Sequence, residues 1–273
     1  MDSLYDSLLS LNTVKGAYEA WADYRGALTA FVQAHTEEGG SCLIVGAGES
    51  NDLDLGRLSE RFDSVILLDT DTAAMERAQS RYPSPKIKLH TADLLGVSAE
   101  AYRELDREML LGLRAKLSGE ELTDIFLGMT EHALKNALPD PLPEADTVLC
   151  CGVHSQLLSM FARMAGVYAR YAGIGLERIF GQISRYNAAF QPAFNTRLMS
   201  AARQTLILGL ETARLGTPGG IEGAAQALSD LSARAPDTVK TELFWPFDVT
   251  QGKVYRICIT AIQTRETKEN GPV

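Results

Sequence analysis

The sequence predicts an α/β fold: a doubly wound, mostly parallel seven-stranded sheet with a C-terminal antiparallel hairpin, plus N-terminal helices and a helical insertion. Three observations support this prediction. Short β-branched runs without period-two alternation are separated by helical segments, which is typical of parallel strands covered on both faces. Two β-rich runs near the end of the chain are joined only by "DVTQG", a link short enough to require antiparallel strands. A long helical stretch interrupts the strand–helix alternation in the middle of the chain.

Residues 4–35 have helical periodicity, because apolar side chains such as Tyr18, Trp21 and Tyr24 recur every three or four positions. Two glycines weaken the pattern, so we expect two or three short helices that end at "EEGGS". We interpret the aromatic stripe as core packing, and a substrate wall is the alternative. This N-terminal helical segment is predicted to span residues 1–38.

The strands follow at regular intervals. They are predicted over residues 42–46, 64–69, 86–93, 146–152, 204–211, 239–247 and 253–265. Helices are predicted between most of them, and Pro83 and Pro85 close the helix after the second strand. Pro246 indicates that the sixth strand lies at a sheet edge.

A helical cap is predicted at about 97–140, where the sequence is helical throughout and too long for a single crossover. We expect two or three helices there, inserted into a main domain spanning 39–264. A second helical block, 155–203, breaks near "AGIGLE". Its segment 184–197 mixes aromatic residues with amides, so it either lines a substrate pocket or forms a surface helix. Residues 265–273 are predicted to be a flexible tail.

Composition excludes several classes of function. The 273 residues are 45% hydrophobic and 22% charged, which is ordinary for a globular protein. A net charge of -9 argues against nucleic acid as a partner, since an acidic surface repels phosphates. No apolar run reaches the roughly 18 residues that span a bilayer, and no secretory signal begins the sequence, so we expect no membrane partner.

The cysteine pattern predicts free thiols and a cytoplasmic location. Cys42, Cys150, Cys151 and Cys258 lie in or beside strand-like runs, and none forms a CxxC pair. Such cysteines are typically buried and reduced. We therefore expect neither a metal site nor a disulfide.

The turn after the first strand, "GAGESND", is the main functional signal. Gly46 and Gly48 permit positive φ and a close ligand approach, and the next helix points free N–H groups toward the turn. Asp69 ends the second strand, where a carboxylate can accept hydrogen bonds from ribose hydroxyls. A dinucleotide site requires a glycine where this chain has Asn51. The run of acids Glu49, Asp52 and Asp54 also disfavours a pyrophosphate and favours a cofactor with positive groups.

The sequence resembles the class I S-adenosylmethionine-dependent methyltransferases. The stretches that carry the resemblance are, in order, "IVGAGES", "VILLDTD", "HTADLL" and "DTVLCCGVHSQL". The C-terminal hairpin is also typical of that family, whereas NAD-binding folds lack it. The turn is similar to one in an uncharacterised bacterial subgroup of methyltransferase-like proteins. Two positions depart from the family pattern: Ile44 stands where the family often has an acid, and Ser50 replaces the third glycine.

The resemblance implies a Rossmann-like methyltransferase fold that binds S-adenosyl-L-methionine. It implies that the first turn surrounds the methionine part of the cofactor, that Asp69 holds the ribose and that Asp93 contacts the adenine amino group. It also implies that the end of the fourth strand faces cofactor and substrate. The predicted cofactor-binding residues are Gly46, Ala47, Gly48, Glu49, Ser50, Asn51, Asp52, Asp69, Thr70, Asp71, Ala92, Asp93, Leu94, Cys151 and Gly152.

Some of these residues have structural alternatives. Thr70 or Asp71 is well placed to cap the helix that follows the second strand. His154, directly after the fourth strand, is the candidate catalytic base, and the alternatives are that it caps the next helix or lines the cavity. Ser155 and Gln156 share these alternatives.

The sequence thus predicts methyl transfer to a small or medium-sized molecule, with a homodimer left open as its assembly. Two rivals stay open: an NAD-dependent oxidoreductase and a non-catalytic protein that binds S-adenosylmethionine. Methyl transfer depends mainly on holding the nucleophile in line with the methyl group. A clear cofactor signal with a weak catalytic signal is therefore expected.

Overall fold

A computed structural model describes residues 3–10, 14–138, 140–217, 221, 223–235 and 238–264. The chain divides into two compact units. The described residues of the first fall within Met1–Thr13, Asp93–Asp140 and Gln156–Phe190, and those of the second within Val14–Ala92, Pro141–Ser155 and Gln191–Val273. The domain boundaries predicted from the sequence stay a prediction, and the predicted tail 265–273 lies outside the described residues.

The described part of the second unit contains a seven-stranded sheet. Its strands are β1 (Ser41–Val45), β2 (Ser64–Asp69), β3 (Ile87–Thr91), β4 (Ala145–Cys151), β5 (Ala202–Arg214), β6 (Val239–Asp248) and β7 (Lys253–Gln263). The strand order is β3-β2-β1-β4-β5-β7-β6. The first five strands pair in parallel, and β7 runs antiparallel to both β5 and β6. The predicted fold class, including the C-terminal hairpin, is confirmed.

Ten α-helices are described. They are α1 (Leu4–Ser10), α2 (Ala17–Ala20), α3 (Ala22–His35), α4 (Leu55–Arg61), α5 (Thr72–Arg81), α6 (Ala99–Arg114), α7 (Gly119–Leu134), α8 (Ser159–Ala172), α9 (Leu176–Ala201) and α10 (Ala224–Arg234). As expected, the N-terminal segment forms short helices and the insertion forms two. Gly173, with φ of 63°, ends α8 at the predicted break. None of the described helices is both long and apolar enough to cross a membrane.

Strand register brings the predicted turn residues to one edge of the sheet. Val45, the last residue of β1, pairs with Leu68 of β2 and with Cys150 of β4. The residues that follow these three positions, Gly46, Asp69 and Cys151, therefore lie side by side at the carboxyl edge. In parallel sheets this edge is where ligands bind.

One face of the sheet is covered by helices that precede or connect the first strands. Tyr24, Leu28 and Val32 of α3 are buried against apolar strand side chains that include Ile44 and Leu67. The Trp21 side chain is only 7% exposed and Tyr24 only 4%, so the core interpretation of the aromatic stripe is confirmed for these two residues. Tyr18 is partly exposed and has a different role, described below.

The helical unit packs around its own aromatic core. The ring of Tyr102 stacks on Tyr5 and tilts against Phe161, each at a centroid distance of 4.9 Å. The Asp106 carboxylate accepts hydrogen bonds from the backbone N–H of Leu4 and from the Tyr168 hydroxyl. A buried carboxylate with such donors ties α1 to α6 and α8.

Several sequence predictions are refined by the fold. Cys42 and Cys150 are buried, as predicted, whereas Cys151 and Cys258 are partly exposed. Segment 184–197 lies in α9 with one buried face, which includes Asn187, Gln191 and Asn195, and one exposed face, so its role as a pocket lining or a surface helix stays a prediction.

Candidate functional site

The turn after β1 contains three residues with positive φ. Gly46 and Gly48 have φ of 72° and 48°, and Ser50 also has a positive φ, 47°. The backbone N–H groups of Gly46 and Ala47 both donate to the carbonyl of Leu68, at 2.9 and 3.1 Å. Positive φ favours glycine, which explains the residue type at the first two positions.

Gly46 is required for a second reason. A Cβ at this position would lie 2.4 Å from Cγ2 of Val153, far inside van der Waals contact. By contrast, a Cβ at Gly48 would meet nothing within 4 Å. The Gly46 backbone is therefore pressed against the segment after β4, whereas Gly48 faces open space that a ligand could occupy.

Asp69 connects the turn to the start of α5. Its Oδ2 accepts a hydrogen bond from the Gly48 N–H at 2.9 Å, and its Oδ1 accepts from the Asp71 N–H at 3.0 Å. The Thr70 hydroxyl lies 3.4 Å from Oδ1. A carboxylate has about four acceptor positions, so these three bonds leave capacity for a ligand hydroxyl. The side chain is partly exposed, which keeps that capacity accessible.

Asp71 is the N-cap of α5. Its side chain accepts a hydrogen bond from the Ala74 N–H at 2.9 Å, which satisfies one free donor of the first helical turn. Of the two capping candidates from the sequence, Asp71 rather than Thr70 has this role. Its place among the cofactor-binding residues stays a prediction.

Two of the three acids in the turn are occupied by other partners. The Glu49 carboxylate pairs with Arg77 at 2.6 Å and with Arg81 at 3.9 Å. Burial raises the pKa of Glu49, but hydrogen bonds from Arg77 and Asn51 outweigh it and leave the pKa below its usual value. Asp54 caps α4 by accepting from the Arg57 N–H. The repulsion argument against a pyrophosphate therefore rests on Asp52 alone.

Asp52 is the exception in the acidic run. No described side chain donates a hydrogen bond to its carboxylate or forms an ion pair with it within 4.0 Å. Burial raises its pKa to about 6, although its own backbone N–H and the Arg25 charge act in the opposite direction. A carboxylate whose charge is poorly compensated is suited to a cationic ligand group.

Arginine side chains from α3 and α5 brace the turn around Tyr18. Arg25 stacks 3.8 Å from the Tyr18 ring centroid and donates to the carbonyl of Asn51 at 3.0 Å. Arg81 lies 4.1 Å from the same centroid and donates to the Asn51 side chain at 2.7 Å. Asn51, which replaces a glycine of the dinucleotide pattern, is thus anchored by two cations. The sequence contained these residues, but the pairing between distant segments had no local signal.

The predicted residues Cys151, Gly152 and His154 lie at the end of β4 and just after it, and Cys151 is the last residue of the strand. Gly152 has φ of 68°, and its N–H donates to the carbonyl of Gly209 in β5 at 2.9 Å. A Cβ on Gly152 would lie 3.0 Å from the Trp245 ring. Burial raises the Cys151 pKa well above its usual value, and the negative charge of the neighbouring Asp52 is the next largest cause. The thiol is therefore protonated at neutral pH.

His154 is buried, with 1% of its surface exposed. Its Nε2 lies 2.9 Å from Oδ1 of Asn195, whose amide nitrogen donates to Asp230 and to the carbonyl of Ala227. Because the amide nitrogen has two acceptors, Oδ1 must face the imidazole and Nε2 must carry the proton. Nδ1 is therefore a bare acceptor, and it has no hydrogen-bond partner among the described residues. Burial lowers the His154 pKa to about 4, so the ring is neutral.

Ala92, Asp93 and Leu94 follow β3. The Ala92 N–H donates to the carbonyl of Asp69 at 3.1 Å. Asp93 belongs to the helical unit, and its Oδ1 accepts from the N–H groups of Leu95 and Val97 at 2.9 and 3.0 Å. The adenine contact of Asp93 stays a prediction.

Sequence reasoning missed Glu211, which ends the buried part of β5 and has 4% of its surface exposed. Its Oε2 accepts a hydrogen bond from the Ser155 hydroxyl at 2.8 Å. The signal that identified Asp69, an acid at the end of an apolar strand, was equally present in "LILGLE".

Comparison with known proteins found similar solved structures but no similar sequence. The sequence matches no protein-family model and no curated protein. Among solved structures, magnesium protoporphyrin IX methyltransferase (ChlM) from Synechocystis PCC 6803 with bound SAM is 12% identical with a TM-score of 0.47, covering 92% of this chain and 85% of that one. The N-methyltransferase NodS from Bradyrhizobium japonicum WM9, in complex with S-adenosyl-L-homocysteine, is 11% identical with a TM-score of 0.45, covering 96% and 98%.

The strand order of the sheet distinguishes the methyltransferase fold from an NAD-binding fold. An NAD-binding fold has no antiparallel strand inserted between its fifth and last strands, whereas β7 here lies between β5 and β6 and is antiparallel to both. This chain therefore has the Rossmann-like fold of the class I S-adenosylmethionine-dependent methyltransferases, as the sequence predicted.

Proposed function

We propose that this protein binds S-adenosyl-L-methionine and transfers its methyl group to a small or medium-sized molecule. The observation that carries the proposal is the turn after β1, where Gly48 faces open space beside the Asp69 carboxylate and where Asp52 has no ion-pair partner among the described residues. A hydroxyl-bearing ribose suits the first carboxylate, and an ammonium or sulfonium suits the second. An uncharged or anionic ligand group would leave Asp52 uncompensated.

The residues fit the cofactor in distinct ways. Gly46 and Gly48 permit the backbone of the turn to approach it, and Asp69 would hold its ribose while keeping the turn closed through the Gly48 N–H. Asp52 would hold its amino group. The cofactor supplies a methyl group on a sulfonium sulfur. Cys151 and Gly152 would then line the place where an acceptor is held in line with the methyl group, and such positioning is worth up to about 7–11 kcal/mol.

His154 stays the predicted base, and the structure restricts how it could act. Its neutral ring offers a lone pair only at Nδ1, since Asn195 occupies Nε2. An exposed fraction of 1% favours the alternative that it lines the cavity. The variant His154→Gln separates the catalytic role from the structural one. A loss of turnover without a loss of stability would indicate that His154 is the base.

The proposal is tested by ligand-induced stabilisation. S-adenosylhomocysteine at about 100 times its Kd should stabilise the protein by about 2.7 kcal/mol, whereas NAD should not. Asp69→Ala should abolish the effect. Asp63→Ala is the matched control, since Asp63 holds the N–H of Gly40 at 3.0 Å in the same way but precedes β2 instead of ending it. Equal stabilisation of both variants would contradict the ribose assignment, and stabilisation by NAD alone would support the oxidoreductase.

Catalysis is tested separately. Incubation with a cofactor radiolabelled in the methyl group and a small-molecule extract should give a labelled product. Cofactor binding without any labelled product would instead support the non-catalytic binding protein.

A further inference from the structure

Glu211 lies at an irregularity of the sheet next to the proposed reaction site. The pairing of β5 with β7 shifts register between Glu211 and Ala213. Bulges of this kind redirect side chains and are common beside active sites. Here the bulge coincides with a carboxylate that is 4% exposed at the carboxyl end of the sheet.

The Glu211 carboxyl group reaches toward the end of β4. Its Oε2 accepts a hydrogen bond from Ser155 at 2.8 Å, and its Oε1 lies 3.7 Å from the point that a Cβ on Gly152 would occupy. Cys151 and Ser155, on either side of this glycine, are partly exposed. The end of β4 beside the carboxylate is therefore partly accessible, although Glu211 itself is buried.

No described cation pairs with Glu211. The titratable groups that face it are Tyr24 of α3, Cys150 and Cys151 of β4 and Tyr255 of β7, and none of them is positively charged. Burial raises the pKa of Glu211, while the Ser155 hydroxyl lowers it. Buried carboxylates are normally paired with a positive group, so this one lacks the partner that its environment requires.

Aromatic side chains lie beside the Glu211 carboxylate. The Trp245 ring lies 3.0 Å from the same Cβ point on Gly152, and Tyr24 stacks on Trp245 at a centroid distance of 5.8 Å. Trp245 is 7% exposed, and its Nε1 has no hydrogen-bond partner among the described residues. A buried carboxylate next to an indole ring is an environment that attracts ammonium groups through charge and cation–π interaction.

We propose that the methyl acceptor is an amine, and that Glu211, held by Ser155, binds its ammonium form against Trp245 and takes up its proton. This inference rests on the proposed methyl transfer. The Glu211 carboxylate first takes a proton from the bound ammonium and passes it to solvent, which leaves a lone pair on the nitrogen. That lone pair then forms the N–C bond while the C–S bond breaks and the sulfur keeps its electron pair. The products are the methylated ammonium, S-adenosylhomocysteine and the released proton, so charge and atoms balance.

The experiment measures binding to the protein saturated with S-adenosylhomocysteine. The probes are a panel of arylalkylamines, each with the alcohol of the same skeleton, such as 2-phenylethylamine and 2-phenylethanol. We expect amines to bind in preference to alcohols, and Glu211→Gln to weaken amine binding about tenfold or more while leaving S-adenosylhomocysteine binding unchanged. Glu242→Gln, an exposed glutamate of β6, is the matched control and should bind as the wild type does.

Two further readouts separate ligand binding from a structural role. Ser155→Ala should weaken amine binding less than Glu211→Gln does. It removes only the hydrogen bond to the Glu211 carboxylate, whereas Glu211→Gln removes the negative charge. Amine binding should also fall as pH drops through the Glu211 pKa, a dependence that Glu211→Gln should lack. Equal binding of amines and alcohols, equal binding by wild type and Glu211→Gln, or no binding of any amine overturns the proposal. Failure of S-adenosylhomocysteine itself to bind overturns the proposed function instead.

Discussion

Replacing Asp52 by Asn should stabilise the free protein and remove its response to the cofactor. A carboxyl pKa raised from 3.8 to about 6 costs the ionised form about 3 kcal/mol, at 1.36 kcal/mol for each pKa unit. Because the folded pKa is the higher one, this cost appears as pH rises from about 4 to 6 and is complete above pH 6. Asn cannot ionise, so the variant should gain up to about 3 kcal/mol at pH 7 and only about 0.5 kcal/mol at pH 4.

The assay is urea unfolding at both pH values, with and without S-adenosylhomocysteine. Asp54→Asn is the matched control, since Asn caps α4 about as well as Asp and its effect should stay within about 0.5 kcal/mol. A variant Asp52→Asn that is less stable than the wild type at pH 7 would refute the reasoning about the buried charge. A variant that keeps its full cofactor response would refute the amino-group assignment.

The other predictions concern the turn and the buried imidazole. Gly46→Ala should lower the free energy of unfolding in urea by about 2 kcal/mol or more, because its Cβ would clash with Val153. Gly48→Ala should lower it by about 1 kcal/mol, from its positive φ alone. The reverse ranking of the two variants would contradict the packing argument. His154 should show the Nε2–H tautomer in nitrogen NMR, with chemical shifts constant from pH 8 to 5, and a titration midpoint near 6.5 would show that it is not buried as described. Asn195→Ala should loosen that tautomer preference.

Strand positions were predictable because they depend on local patterns. β2 has the predicted bounds, and β1 and β4 differ from prediction by one residue at each end. β5 is longer than predicted, because its last residues pair with β7 across a bulge. Pairing partners far along the chain leave no trace in the local sequence, so such an extension had no signal.

The candidate site was only half predictable, for the same reason. Gly46, Gly48 and Asp69 follow strand ends, so their meeting at one edge follows from parallel pairing. The burial of His154 and the pairing of Glu49 with Arg77 depend on where distant helices pack. From residue type alone, Glu49 was predicted to bind the cofactor and His154 to act as the base. The ion pair of Glu49 and the burial of His154 limit these two roles.

The sequence by itself determined the sheet, its hairpin and the glycine turn, because hydrophobic period and glycine conformation act over a few residues. Only the tertiary structure decided which acids of the chain are neutralised. Glu49 forms ion pairs with arginines, whereas no described cation forms an ion pair with Asp52 or Glu211, since charge compensation depends on side chains brought together from separate segments.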